Sequence, residues 1–557
     1  MHSSTISRNL GLIVIAAILT LCCVPLYAAI NPENVAVIVN SNSKPSQAIG
    51  AYYCKQRGIP TRNLIQVDAP TQETISQDQY KTLAQSIQKL LTAAPLSVNP
   101  KNFAGDKIQV LVTCYGIPSK ILGKCPGTTS ETTSVDSYLT LLFNDNAGPD
   151  VIDADYFAYT NCARTGGGGP TGLFNPYYNK DQSFAAFRAS KDNSITKFGN
   201  TYRLRYLVCR LDGYDDLKVT LSGVSVPRDV RDMIDRGKAS TGQKGKFYLD
   251  EPWRGDQGYS HGRYASTESA LKSLIGADNV IRDSSASATY LNQRDVMGYA
   301  SFGMHDLDIL TKTDWGRPHF TWKPGAVAII NESAGGQQLR SPQHAYGYKT
   351  IGSSDSANPK TSQISRPVMR VLVSYKVGST VKHFQGYKVA LLDYKNTVLK
   401  TATVGADGIA EIDLSDPSIK WPADHKTKVQ VYYPDKDSGY HDGSALAYST
   451  LTFTPNDLLF KDKQQSRGRY AEVYLARQCS AEYIRDGCSG INAAVSEPGA
   501  DFVNAGVTLP QYAKGYTWAE AAYMGTRHLG YKTILLGDPL MAPYGPVKSA
   551  SAWRERH

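Results

Sequence analysis

The sequence predicts an α/β protein built on a mostly parallel sheet flanked by helices and interrupted by a small β-sandwich. Three observations carry that prediction. From Asn31 to about Lys360, short apolar runs alternate with longer helix-compatible stretches. After Ser362 the pattern changes to short alternating strands punctuated by turns, and after Lys461 the first style returns. With 557 residues, 41% hydrophobic, 20% charged, 47 Gly and 28 Pro, the chain can bury large cores and is neither collagen-like nor broadly disordered. Its net charge of +10 is scattered, with no block of five like charges. This gives no support for a nucleic-acid partner and suits solubility or attraction to an anionic cell surface.

Residues 1–28 read as a cleavable secretory signal. Arg8 supplies the positive region, Leu10 to Leu21 the apolar core, and Leu26-Tyr27-Ala28 a small residue at the cut. The alternative of a membrane anchor meets a core that is short for a bilayer and broken by Gly11, Thr20 and Pro25. A lipoprotein signal around Cys22 and Cys23 would need a small residue where Leu21 stands. The expected location is therefore secreted, periplasmic or cell-envelope, with no transmembrane span after cleavage. Seven cysteines then remain, so at least one is unpaired. Cys114 with Cys125, and Cys479 with Cys488, are close enough in sequence to form disulfides. No CxxC pair occurs, so a structural zinc knuckle has little support.

The expected strands are VAVIVN (35–40), KIQVLVTC (107–114), YLVCRL (206–211), KFYLD (246–250), DVMGYASF (295–302) and AVAIIN (326–331). Pro45 to Arg57 reads as the first crossover helix, closed by Gly58 and Pro60, and Tyr80 to Leu91 repeats that pattern. VMRVLVSYKV, YKVALLDY, LKTATVGADGIAEIDL and KVQVYYPD form the expected immunoglobulin-like insert at 362–460, with GADG and PDKDSG as hairpin turns. The spacer role is favoured for it over a binding role. RYAEVYLARQCSAEYIRDG reads as a helix ending at Gly487, INAAVSEP as a strand closed by Pro498, TWAEAAYMGTRHLG as a helix and KTILLGDPL as a strand leading into a turn. The expected organisation is a discontinuous α/β domain, 29–361 and 461–547, around the insert.

In parallel sheets the loops after the strand carboxyl ends gather at one edge, so residues distant in sequence can converge there. Asp212, Asp250, Glu251, His305, Asp306, Glu332, Ser333, Glu497 and Asp538 all follow expected strands. Such an edge suits acid–base chemistry or a divalent cation held by carboxylates. Asp212-Gly213 and Gly537-Asp538-Pro539 equally suit turns with capping carboxylates. His305-Asp306 can move protons near neutral pH. Glu332-Ser333-Ala334-Gly335-Gly336 could expose a hydroxyl or backbone amides, or be a tight connection. Gly166 to Gly169 lacks the GxxxxGK[ST] of a phosphate loop and reads as a surface loop. Asn175-Pro176-Tyr177-Tyr178 is aromatic-rich, with core packing the default for each Tyr and sugar stacking the alternative.

SKPSQAIGAYYCKQRGIPTRNLIQVD, SVDSYLTLL, NPYY, YLVCRLDGYD, GYASFG and LLGDPLMAP together resemble an exosortase-associated secreted bacterial family of unknown function. The resemblance spans most of the chain outside the insert and implies export and an envelope context. A more distant likeness is to gingipain-type and caspase-like cysteine peptidases, where one strand ends in His-Gly and the next in the catalytic Cys. Here Phe302 stands at the His position, His305 follows three residues later, and Asn331-Glu332-Ser333 ends the next strand without a Cys. Without a thiolate and its base, acyl-enzyme chemistry has no start. The favoured reading is an envelope protein with a peptidase-like fold that binds peptide or polysaccharide, with Asp212, Asp250 and Glu497 as substrate contacts. The alternatives are a hydrolase using His305, Asp306, Glu332 and Ser333, and a carboxylate metal-binding protein.

Overall fold

The computed structural model describes residues 30–545 except 103–105, 123–131, 149–171, 198, 216, 252–263, 284–289, 304–317, 333–334, 337–338, 341–344, 352–367, 378–379, 384, 394–396, 414–415, 423–426, 433–444, 450–468, 476–479, 497 and 499–500. The expected signal segment, the Gly166–Gly169 tract, His305, Asp306, Ser333 and Glu497 lie outside the described residues.

Fully apolar runs become fully buried strands. In chain order, the strands of the main sheet that precede the insert are β1 (Val35–Asn40), β2 (Leu64–Val67), β3 (Val110–Cys114), β4 (Leu207–Leu211), β5 (Lys246–Asp250), β6 (Val280–Asp283), β7 (Val296–Ser301) and β8 (Trp322–Ile330). The insert supplies β9 (Ala345–Ile351), β10 (Val368–Val377), β11 (Thr380–His383), β12 (Lys388–Asp393), β13 (Val398–Thr403), β14 (Ile409–Asp413), β15 (Thr427–Tyr432), β16 (Ala445–Ser449) and β17 (Arg469–Leu475). After it come β18 (Gly490–Ala494) and β19 (Thr533–Gly537), which return to the main sheet.

The main sheet has ten strands in the order β6-β5-β7-β8-β18-β19-β4-β3-β1-β2. The two strands from the far side of the insert therefore lie at its centre. All neighbours run parallel except β18 and β19, which pair antiparallel from Gly490 opposite Gly537 to Ala494 opposite Thr533. The sheet is thus two parallel halves joined at one antiparallel seam, and the strand carboxyl ends of each half point to opposite rims. Five residues of strand separate the rims, roughly 16 Å. The expected single rim of acidic residues is corrected by this seam: Asp250 and Glu332 follow strands of one half, Asp212 and Asp538 strands of the other. Gly537 allows the seam's close approach, because its φ of +126° disfavours other residues and a Cβ there would lie 2.8 Å from the Ser489 carbonyl oxygen.

The helices used below are α1 (Lys44–Arg57), α2 (Gln77–Thr92), α3 (Val135–Leu139), α4 (Phe184–Ala189), α5 (Arg228–Lys238), α6 (Ala265–Ile275), α7 (Ser480–Asp486), α8 (Ala505–Lys514) and α9 (Trp518–Gly525). Ser43 caps α1 and Gly58 ends it in the left-handed conformation, while Ser76 and Gln79 form a capping box on α2. α1 packs on β1 and α5, α6 on β6 and α8, and α9 on β4.

The insert forms two small sheets. One has the order β9-β17-β10-β11, with β14 also paired to β10, and the other has the order β13-β12-β15-β16. Ala345 faces Leu475 in antiparallel register, so the chain leaves for the insert and returns from it at one point. The insert strands extend beyond the expected bounds of 362–460 on both sides. The expected helix over RYAEVYLARQCSAEYIRDG is half right, since Arg469–Leu475 is a strand and only Ser480–Asp486 is helical. Alternation in RYAEVYL fits a period of two as well as one helical turn, and pairing with β9 and β10 decides between them.

Candidate functional site

Each half has its own switch point, the place where successive strands are laid down on opposite sides and where open α/β sheets hold ligands. In the half containing β1 it lies between β1 and β3, and in the half containing β5 it lies between β5 and β7. The first is filled. Asn40, at the end of β1, donates to the carbonyls of Ala69, Pro70 and Gly116. Arg210 binds both oxygens of Asp136 at 2.8 and 2.6 Å and reaches Asp212 at 3.3 Å. Arg340, from the segment following β8, crosses to this rim, where it donates to Asp212 at 3.2 Å and to the carbonyls of Thr71 and Ile117 at 2.7 Å. Two arginines and two aspartates thus balance in a buried network. Asp212 is fully buried in it, and its other oxygen accepts from the Gly213 amide at 3.0 Å. Asp212, expected as a ligand contact, thus has both oxygens engaged by the protein's own groups. Asp538 is likewise buried, held by Arg57 at 2.6 Å and the Tyr53 hydroxyl at 2.7 Å, and it accepts from the Leu540 amide as a turn residue does.

The second rim carries the described ends of β5, β7 and β8. Asp250 is buried and accepts from the Tyr299 hydroxyl at 2.9 Å. Glu251 accepts from the Tyr264 amide and, at 3.0 Å, from Arg282, which holds the start of α6 against the end of β5. Ser301 accepts from the Gly303 amide at 3.0 Å, and the Asn331 amide donates to the Ser301 carbonyl at 2.9 Å. Glu332 is 4% exposed beside it. Above these strand ends opens a pocket of about 380 Å³, whose described lining includes Tyr264, Ser266 and Thr267 at the start of α6, Asn504 to Val507 at the start of α8, and Asn331, Asn179, Phe502 and Arg527.

The pocket offers hydrogen-bond donors and one unpartnered acceptor. No described side chain caps the start of α6, so among the described residues its first-turn amides meet no side-chain acceptor. Asn331 is 8% exposed and its Oδ1 has no hydrogen-bond partner, and the Thr267 hydroxyl, at 2% exposure, has none either. The Arg527 guanidinium lies 5.8 Å over the Tyr178 ring and makes no ion pair with a described carboxylate. No Asp or Glu is among the pocket's described lining residues. A concave site with this bias favours an anionic group carrying hydroxyls or a carbonyl.

Sequence reasoning missed Arg527 and, beside it, His528, whose Nδ1 lies 2.9 Å from the buried Asp501 carboxylate. Both were absorbed into an expected helix over TWAEAAYMGTRHLG. The helix ends at Gly525, and His528-Leu529 pairs with Leu173-Phe174 instead. The only available signal was Gly525-Thr526 as a stop. Among the described residues no group of three or more His, Cys, Asp or Glu could hold a metal ion, and the proposed trio of Asp212, Asp250 and Glu332 is divided between the rims. Cys114 and Cys488 are free, buried thiols, and Cys125 and Cys479, the other members of the two candidate pairs, lie outside the described residues. Comparison with known proteins finds no matching family model, no matching curated protein and no matching solved structure.

Proposed function

We propose that this is an exported envelope protein that binds, without turnover, an anionic group of an envelope polymer in the pocket over the β5, β7 and β8 ends. The observation that carries this reading is the lining itself: a helix start with no described side-chain cap, the unpartnered Thr267 hydroxyl and Arg527, with no described carboxylate among the lining residues, while the unpartnered Asn331 amide oxygen is placed to accept from a ligand hydroxyl. The four described cysteines, Cys54, Cys114, Cys209 and Cys488, are all buried, which disfavours each of them as a thiol nucleophile. Export rests on the sequence of residues 1–28. Among the described residues no helix is long and apolar enough to cross a membrane.

The test is equilibrium binding of a hexuronate to the full chain. Arg527→Gln should weaken it at least about tenfold, a loss of one charge-assisted contact, while Lys218→Gln, an equal change of charge at the other rim, where Lys218 lies 5.8 Å from the ring of Tyr115 just after β3, should leave it unchanged. Equal effects of the two variants would sink the reading, as would hydrolysis of peptide, ester or glycan substrates that survives purification of the full chain and disappears in a pocket variant.

A further inference from the structure

The pocket continues into an aromatic shelf. Asn504 on its wall donates to the Tyr178 hydroxyl at 2.8 Å, Arg527 covers the Tyr178 ring, and Phe174 meets Tyr178 edge-on at 5.9 Å and His528 at 6.0 Å. Phe174 is 54% exposed, and among the described residues it is the one aromatic of three large hydrophobic side chains left so open. A lone exposed apolar residue needs no explanation, but one continuous with a donor-lined pocket marks a binding face. The shelf is held rigidly from below. Asn175 donates to the carbonyls of Tyr523 and Thr526 at 2.8 and 2.7 Å, and its own amide bonds to the Arg527 carbonyl at 2.7 Å.

Resting on the anion-binding reading above, we infer that the ligand is an acidic polysaccharide whose uronate carboxylate enters the pocket while a neighbouring sugar ring lies on Phe174. A pyranose presents an apolar C–H face of weakly positive character, which complements the negative face of an aromatic ring. Its hydroxyls supply donors for Asn331 Oδ1 and acceptors for Thr267 and Asn179, which an acidic peptide side chain cannot offer together with its carboxylate. The +10 net charge of the chain favours encounter with a polyanion of this kind.

The experiment titrates the full chain with polygalacturonate, with its methyl ester, which keeps the rings and removes the charge, and with poly-L-glutamate, which keeps the charge and removes the rings. The expected result is polygalacturonate binding at least about tenfold tighter than poly-L-glutamate, and lost at least about tenfold on esterification and in Arg527→Gln. Phe174→Ala should weaken polygalacturonate about fivefold and leave poly-L-glutamate unchanged. If poly-L-glutamate binds as tightly and Phe174→Ala changes neither, the sugar assignment is overturned while the anion pocket stands. If Arg527→Gln changes neither polymer, or neither polymer binds, the pocket reading and the sugar assignment fall together.

Discussion

Asp212 and Asn331 sit after strands of the same sheet, yet their surroundings give them opposite roles. Asp212 has both oxygens engaged by Arg210, Arg340 and the Gly213 amide, whereas the Asn331 amide oxygen, nearly as buried, has no partner. Asp212→Ala should therefore destabilise the fold by about 3–5 kcal/mol by stranding buried arginines, read as a lowered denaturation midpoint. Arg527→Gln, on the surface, should change stability by no more than about 0.5 kcal/mol. Burial pushes the Cys54 and Cys488 thiols up to about 12, and those of Cys114 and Cys209 well above their ordinary value. All four should resist a thiol reagent at neutral pH in the folded chain and react on unfolding, as mass spectrometry of each cysteine would show; labelling of any of them in the native state would contradict the burial described. The position of Asp212 after a strand could be read from the sequence. Its partner Arg340 could not, because the two lie 128 residues apart and meet only through the path of the segment after β8.

Local patterns carried most elements and failed where two readings share a period. VAVIVN and KFYLD became buried strands at their expected bounds, and the capped helix beginning at Lys44 came within a residue of expectation, while only TILLG of the expected KTILLGDPL is strand. LIQV and VIRD, short and half-polar, escaped notice and became β2 and β6, the two edges of the sheet. The start of α6 matters most to the pocket, and Glu268 ties it to β6 through Arg282 at 2.7 Å. Hydrogen bonds from Lys272 and then Arg282 hold the Glu268 carboxyl below its ordinary value of 4.5. A lowered pKa means that the folded state releases this proton more readily, so its contribution to stability is present above about pH 4.5 and is lost as pH falls through the lowered value. Glu268→Gln should accordingly flatten the acid side of the stability profile, measured by denaturation from pH 6 down to about pH 3. An unchanged slope would mean that the pair contributes nothing to holding α6.

At the scale of the molecule, the antiparallel seam decides which strand-end residues can meet. The alternation of styles along the sequence was enough to show that segments on both sides of the insert share one sheet. Strand direction leaves no mark on composition, so the division of the acidic residues between two rims was not legible. The register of Ala345 with Leu475 makes the insert separable. Replacing residues 345–475 by a short Gly/Ser linker should leave a body that unfolds cooperatively with a midpoint within a few degrees of the parent. Loss of cooperative unfolding would show that the insert is part of the main core. Among the described residues Arg340 fills one switch point while the pocket lies beside the other, and the functional proposal rests on that asymmetry. The most direct measurement follows the arginine side-chain signals of full chain labelled with 15N-arginine during titration with galacturonate. The Arg527 Nε resonance should move with saturation while those of Arg210 and Arg340 stay fixed. Movement at Arg210 or Arg340 with Arg527 unaffected would place the ligand on the wrong rim and contradict the account.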